Sequence, residues 1–219
     1  QLTNKNYNKF FVSLLAKLKE VVRSGENAAA EVSISEKLAS AVREELTRSD
    51  DVTVRLPNDA EFEKGWLENP TYVKSRPDRA VMLLTAIDNA MRTNKNEYKH
   101  APESVSVEHL LPQQGSPDDY PYPAEPNQPD GLTPAARRLN IIHTVGNLTL
   151  LTGALNASVS NGPFKKKRPA IAENSELRLN ARFQNGEITQ WLEPEIIERG
   201  RDMFIHAKAL WPFPAQPDK

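Results

Sequence analysis

The stretch VSVEHLLPQ, residues 105–113, has the pattern of a short β-strand but places a glutamate and a histidine side by side at its end. Its two valines alternate with polar residues, which is the period of a strand with one buried face. A proline three residues past the histidine marks the end of the segment. We therefore predict a strand that presents Glu108 and His109 at its C-terminal end, where either a functional pair or an ordinary polar strand end would fit.

A second stretch, HTVGNLTLLTGALN at residues 143–156, supplies the matching elements. NLTLL predicts the body of a second strand, the glycine before it predicts a turn, and the residues after TG predict the start of a helix. If the two strands pair antiparallel, Asn147 lies opposite His109 and Asn156 returns on the helix to face Glu108. The sequence thus predicts two strands and a helix that converge on one small polar pocket.

The residue types of this pocket suit the hydrolysis of a phosphodiester bond. A neutral histidine with a pKa of about 6.5 can take a proton from water at neutral pH. An asparagine carbonyl can accept the hydrogen bond from the other ring nitrogen and so fix the tautomer. Carboxylate and amide oxygens are hard ligands that suit Mg²⁺ or Mn²⁺ rather than zinc. Simpler explanations also exist, because Asn147 can cap a turn and Asn156 can be a helix N-cap.

The rest of the chain is predicted to be mostly helical, because apolar residues recur at helical spacing. The predicted helices cover about residues 10–22, 33–46, 60–67, 77–91 and 194–211. Residues 114–134 hold six prolines and are predicted to form a loop. We therefore expect a mostly α fold with a small central β-hairpin, in which a ββα core is embedded in a helical domain.

A single domain is expected over residues 1–219, because the chain has no internal repeat and no clear linker. Residues 1–100 form a helical lead-in, residues 101–185 the ββα core with its proline-rich loop, and residues 186–219 a C-terminal helix and tail. The sequence has no initiator Met, so we expect a domain excised from the C-terminus of a longer protein.

Composition excludes several classes of protein. The chain is 38% hydrophobic and 26% charged, as is ordinary for a globular protein, and it has no cysteine. Disulfides, thiolate zinc sites and cysteine nucleophiles are thereby excluded. No apolar run is long enough to span a membrane and no signal peptide is evident, so we expect a cytoplasmic protein without a membrane partner.

Charge is unevenly distributed, although the net charge is only −1. Residues 101–134 contain no lysine or arginine, whereas residues 135–183 are rich in both. The run KKKR follows the predicted pocket helix, and we favour DNA phosphates as its partner over an ordinary solvated surface. The expected contacts are Lys165, Lys166, Lys167 and Arg168. His143 and Asn161 are further polar residues near the pocket, for which a half-buried strand position and a turn are the simpler explanations.

Four segments of the chain together resemble one known family. They are EFEKGWLENPTYVKSRPDRAVMLLTAIDNAM at residues 61–91, VEHLLPQ, HTVGNLTLLTGALNASVSNGPFKKK and the closing residues from Trp191 to Pro212. Their order, spacing and flanking residues resemble the HNH (ββα-metal) nuclease motif. More closely, they resemble the HNH-like C-terminal domain of GmrSD-type restriction endonucleases, and this resemblance covers most of the chain.

The resemblance implies a role for each pocket residue. His109 would be the general base and Asn147 would orient it. Glu108 takes the place of the acidic metal ligand, which is aspartate in many HNH proteins, and Asn156 matches the last metal ligand. The resemblance also implies Mg²⁺ or Mn²⁺ as cofactor, an N-terminal NTPase or nucleotide-sensing domain in the same full-length protein, and defence against foreign DNA.

We therefore expect a metal-dependent DNA endonuclease or nicking domain that leaves a 5′-phosphate and a 3′-hydroxyl. One alternative is a non-catalytic DNA-binding or partner-interaction module that keeps the fold, which a glutamate in place of the aspartate would favour. Another alternative is an RNase, because the chemistry is centred on the phosphate and nothing in the motif separates DNA from RNA.

Overall fold

A computed structural model describes most of the chain, and every structural statement below concerns that part. It covers residues 6–25, 33–48, 54–97, 100, 102, 104–123 and 131–214. Its α-helices are α1 (Tyr7–Gly25), α2 (Ile34–Arg48), α3 (Asp59–Glu68), α4 (Pro77–Ala90), α5 (Pro134–Ile141), α6 (Gly153–Val159), α7 (Phe164–Asn174) and α8 (Glu193–Leu210). Its strands are β1 (Ser106–His109) and β2 (Leu148–Leu151), and 3-10 helices cover Val145–Asn147 and Arg178–Phe183. The predicted mostly α fold with a small antiparallel pair of strands is confirmed.

The chain divides into two compact units, Gln1–Glu61 with Pro212–Lys219, and Phe62–Trp211. In the first unit α1 packs against α2, and Lys17 Nζ lies 2.6 Å from Glu45 Oε1. The second unit holds both strands and helices α4 to α8. That residues 1–219 work as one nuclease domain stays a prediction.

The two strands of the second unit pair antiparallel with His109 opposite Leu148 and Glu108 opposite Thr149. The predicted pairing of His109 with Asn147 is therefore wrong by one residue. Asn147 lies opposite Leu110, whose backbone N–H donates to the Asn147 carbonyl at 2.9 Å. The difference arises because Asn147 is the last residue of the 3-10 helix and lies just before the strand.

Strand β2 is buried along its whole length, which explains its unbroken run of apolar and threonine residues. One face of the strand pair packs against a cluster that includes Leu110, Leu151, Phe164, Ile171 and Trp191. The other face packs against a cluster that includes Trp66, Leu84, Leu148, Leu150 and Phe204. The strand ends are consequently fixed between two cores.

The segment before β2 contains a helix that was not predicted. Residues 134–141 form helix α5. Thr133 accepts a hydrogen bond from Ala136 N through its side-chain oxygen at 3.2 Å, and Pro134 occupies the first helical turn. These are ordinary signals for a helix start. His143 therefore lies in a turn after α5 and not in a strand.

Helix α8 fixes the turn that precedes β2. Arg199 on this helix is buried and donates from Nη1 to the carbonyls of Gly146, at 2.9 Å, and Leu148, at 2.6 Å. Gly146 lies so close to α8 that a Cβ atom there would be 2.0 Å from the Ile196 carbonyl oxygen. Only glycine fits at this point without moving the helix or the turn.

The described parts of the proline-rich segment contain no strand, and α5 begins at its last residue, Pro134. Tyr120 in this segment is buried, and its hydroxyl donates to the Gly162 carbonyl at 2.9 Å. Arg138 on α5 donates to the Tyr120 carbonyl at 2.6 Å and to Glu193 Oε1 at 2.7 Å. The segment, which was predicted to be a loop from its six prolines, thus joins the core through a tyrosine and an arginine.

Candidate active site

The glutamate and histidine at the end of β1 face opposite sides of the strand pair. Side chains alternate along a strand, so neighbours in sequence point to different faces. His109 is only 7% exposed and lies beside Tyr72 and His143. Glu108 has a side chain that is 12% exposed and pairs with Lys167. The two polar residues predicted to form one pocket therefore have separate sets of neighbours.

His109 is held by a second histidine. Its Nε2 lies 3.0 Å from Nδ1 of His143, and the two rings meet edge to face. Tyr72 packs edge-on against His109 with ring centroids 4.8 Å apart, and it stacks on His143. The backbone N–H groups of Thr71 and Tyr72 donate to the His143 carbonyl at 2.8 and 3.1 Å, which fixes the turn. His109 Nδ1 has no hydrogen-bond partner among the described residues.

Both histidines of this pair are kept neutral. Burial lowers the pKa of His109 to about 4, and the proximity of the His143 ring and of the Lys167 ammonium acts in the same direction. Burial also lowers the pKa of His143. When His109 donates from Nε2–H to His143 Nδ1, its own lone pair lies on Nδ1. That tautomer is the one in which His109 can accept a proton at its unoccupied nitrogen.

Asn147 does not contact the His109 ring, so the predicted hydrogen bond between them is wrong in this structure. The fully buried Asn147 amide donates to the carbonyls of Leu111 and Ile142, each at 2.8 Å. Its side-chain oxygen accepts from Leu111 N at 2.8 Å and from Trp191 Nε1 at 3.1 Å. A buried amide must satisfy both its donors and its acceptor, and the backbone groups beside it do so. Asn147 thereby fixes the chain just after His109.

The carboxylate of Glu108 is paired with a lysine ammonium. Lys167 Nζ donates to Glu108 Oε1 and to the His109 carbonyl, the latter at 2.8 Å. Burial raises the pKa of Glu108, while the Lys167 ammonium acts in the opposite direction. We infer that the pair is ionised, because a carboxylate and an ammonium in direct hydrogen-bond contact favour each other's charged form.

The prediction that Lys167 contacts DNA phosphates is wrong, because this residue is 0% exposed. Phe164, Lys167 and Ile171 share the buried face of α7 at helical spacing. Lys165 and Lys166 are exposed on the same helix, as predicted for phosphate contacts. Arg168 is half-buried and donates to the Phe183 carbonyl at 3.2 Å. The basic run therefore offers two free lysine side chains to a ligand rather than four cations.

The two remaining predicted residues lie on or after α6. Asn156 donates from Nδ2 to Ser106 Oγ at 2.7 Å, two residues before the glutamate that we expected it to face. Ser106 and Glu108 share one face of β1, so Asn156 lies on the correct side of the strand. Asn161 is exposed in the turn between α6 and α7, which is the simpler of its two interpretations.

The donor set can be compared with the needs of Mg²⁺ or Mn²⁺. Among the described residues, no three histidine, aspartate or glutamate side chains come together as a metal cluster. Glu108 and Asn156 offer a carboxylate and an amide oxygen on one side of β1. Two protein oxygens suit a magnesium ion, which retains water ligands. The residues thus fit such an ion, with Lys167 as a competing positive charge.

Two features of the site were not predicted, namely the contact of Tyr72 with His109 and the inward direction of Lys167. Tyr72 precedes α4 in an irregular segment, and no periodicity marks it as a neighbour of His109. Lys167 did carry a signal, because it lies three residues after Phe164 and four before Ile171. That apolar spacing places a lysine on the buried face of a helix.

Fold and site together define a helical domain built around a two-stranded sheet, with a neutral histidine pair and a carboxylate–ammonium pair at the strand end. The family model of the C-terminal domain of GmrSD restriction endonucleases matches residues 56–205. The chain belongs to this family. No curated protein matches the chain. Membership supports nuclease activity with DNA as substrate. Within the described residues, no helix has the length and apolar character that crossing a membrane requires.

Proposed function

We propose that this domain is an HNH-type, metal-dependent endonuclease that nicks or cuts foreign DNA in bacterial defence. One observation carries the proposal: a buried, neutral His109 is held at Nε2 by His143, while its Nδ1 has no hydrogen-bond partner among the described residues. Membership in a restriction endonuclease family supports the same reaction class.

In the proposed reaction His109 is the general base. His109 Nδ1 accepts a proton from water, and the water oxygen forms a bond to the scissile phosphorus as the bond from phosphorus to the 3′ oxygen breaks. The 3′ oxygen takes a proton from solvent, which leaves a 3′-hydroxyl and a 5′-phosphate. His143 keeps the His109 ring in one orientation through the contact at Nε2.

Glu108 and Asn156 would hold the divalent ion, Mg²⁺ or Mn²⁺, through one oxygen each. The chemistry that this ion supplies when bound is stabilisation of negative charge on the phosphate oxygens. Asn147 has a different task, because its amide clamps the backbone that follows His109. A displaced histidine ring would lose its alignment with water and phosphate, to which such reactions are sensitive.

Lys165 and Lys166 would contact the DNA backbone without reading the base sequence, because phosphate contacts carry no sequence information. Phage or plasmid DNA in the cytoplasm is the proposed substrate. An N-terminal NTPase or sensor domain of the same full-length protein is the proposed partner that licenses cleavage.

The test is conversion of supercoiled plasmid to open-circular and linear forms in Mg²⁺, Mn²⁺ or EDTA. His109→Ala is compared with His206→Ala, a matched change at a half-buried histidine on α8. We expect metal-dependent nicking by the wild type and by His206→Ala, and a loss of about 100-fold or more in His109→Ala, because general-base catalysis contributes that much. Circular dichroism checks that each variant is folded.

Nicking by folded His109→Ala at the wild-type rate would overturn the assignment of the base. Nicking that persists undiminished in EDTA would overturn the metal requirement. A single-stranded RNA substrate run beside the plasmid separates a DNase from an RNase, since the faster reaction identifies the substrate.

One observation favours a second function, that of a non-catalytic DNA-binding module. The ammonium of Lys167 already pairs with the carboxylate that would hold the metal. If the wild-type protein binds plasmid but does not cut it in the presence of either Mg²⁺ or Mn²⁺, this second function replaces the first.

A further inference from the structure

Lys167 is unusual because its ammonium is enclosed within the protein. Its side chain is 0% exposed, and it enters the core from the middle of α7 between Phe164 and Ile171. Lysine is rarely buried in full unless its charge is paired. Here the Lys167 ammonium donates hydrogen bonds to Glu108 Oε1 and to the His109 carbonyl.

The two acceptors of this ammonium are the kinds of oxygen that hard cations prefer. A carboxylate oxygen and a backbone carbonyl oxygen are typical ligands of divalent ions that prefer oxygen. Lys167 Nζ therefore contacts two oxygen atoms that could also serve as ligands of a bound metal ion. The titratable groups that interact with this ion pair are His109 and Tyr120, and Glu108 alone offers a negative charge to the ammonium.

We propose that Lys167 is a built-in cation that competes with the divalent ion for Glu108 and so weakens metal binding. In the metal-free domain the ammonium neutralises the buried carboxylate. When the divalent ion binds, Glu108 must share its negative charge between two positive partners, and like charges at close range in a poorly screened site repel. Metal affinity is therefore set by α7 as well as by the ligands.

This inference rests on the proposed metal site, and its consequence is specific. A neutral side chain at position 167 leaves Glu108 without a counter-charge, so the carboxylate becomes a stronger ligand. If Lys167 were only a packing element, its charge would have no effect on metal binding.

The experiment measures Mn²⁺ binding to the full chain by titration calorimetry, without DNA. Lys167→Met keeps the length of the side chain but removes the charge, and Lys167→Arg keeps the charge. We expect Lys167→Met to bind Mn²⁺ at least tenfold more tightly than the wild type, and Lys167→Arg to bind it about as weakly as the wild type. In a Glu108→Gln background the tightening by Lys167→Met should disappear.

Mn²⁺ binding by Lys167→Met that equals or falls below that of the wild type would overturn the inference. If Lys167→Met does not fold alone, Mn²⁺ should restore its cooperative thermal transition, and the same holds for Lys167→Gln. Failure of Mn²⁺ to restore folding in both variants would equally overturn it. Plasmid nicking by the wild type is scored separately, so a domain that lacks nuclease activity yet shows the tightening would overturn only the proposed function.

Discussion

At the scale of single residues, His109 shows how neighbours set the chemistry of a side chain. Isolated in water, a histidine is half protonated near pH 6.5. Here Tyr72 and His143 exclude water from the ring, and the Lys167 charge lies beyond it. The ring is therefore neutral well below neutral pH, which is the state that a proton acceptor requires.

This shift makes stability depend on pH. The folded pKa of His109 is about 4, below its usual 6.5, so the unfolded chain takes up a proton first as pH falls. The associated stability is fully present above pH 6.5 and is lost as pH falls towards 4. A shift of this size corresponds to about 3 kcal/mol. We expect urea unfolding in EDTA to show a smaller loss of stability between pH 7 and pH 4.5 in His109→Gln than in wild type.

The same pH slope in both proteins would contradict this prediction. His206→Gln serves as the control, since it removes a histidine of α8 outside the His109 pair and should keep the wild-type slope.

Which residue types gather at the strand end could be predicted from VSVEHLLPQ, because strand period and a following proline are local signals. Their partners could not be predicted. Asn147 donates hydrogen bonds to the backbone carbonyls of Leu111 and Ile142, and these contacts depend on how the turn before β2 packs against the end of β1. The histidine neighbour of His109 lies 34 residues away in the chain, and pairing over that distance leaves no periodic trace.

At the scale of elements, strand β2 and its preceding turn depend on helix α8. The sequence predicted the strand and most helices, because their apolar spacing is regular. It missed α5, which is only eight residues long and whose start is marked only by Thr133 and Pro134. Local signals of one or two residues compete poorly with a strand-like apolar run.

The contact between this turn and α8 leads to a prediction for Gly146→Ala. The added Cβ would lie 2.0 Å from the Ile196 carbonyl oxygen, so helix and turn must separate. We expect a loss of about 1–3 kcal/mol in the free energy of unfolding, as for overpacked cores. The measurement is urea unfolding by circular dichroism.

Gly153→Ala is the matched control for this change. A Cβ at Gly153 meets no atom within 4 Å, so stability should stay the same or rise slightly. Equal stability of the two variants would show that the turn and α8 can separate at no cost.

At the scale of the whole second unit, a few buried polar contacts join segments that lie far apart in the sequence. Arg138 connects α5 with the backbone of the proline-rich segment and with Glu193 at the start of α8. Because these segments have little regular apolar pattern, the sequence could not reveal that they meet.

Removing this arginine should therefore be costly. Arg138→Ala leaves Glu193 without its partner and two backbone carbonyls without a donor. We expect a loss of about 3 kcal/mol, because one member of a buried ion pair is left unpaired. Arg201→Ala, at an exposed arginine of α8, should change the free energy of unfolding by less than about 0.5 kcal/mol. Chemical unfolding of both variants distinguishes them, and equal losses would contradict the role given to Arg138.

The dependence of the turn before β2 on Gly146 and Arg199 has a consequence for protein synthesis. Helix α8 leaves the ribosome after both strands and after His143, and it is the element that holds this turn. A growing chain that already contains His109 and Glu108 still lacks the support that brings His143 into place. Under the proposed function, incomplete translation products would then be harmless to the genome of the cell that makes them.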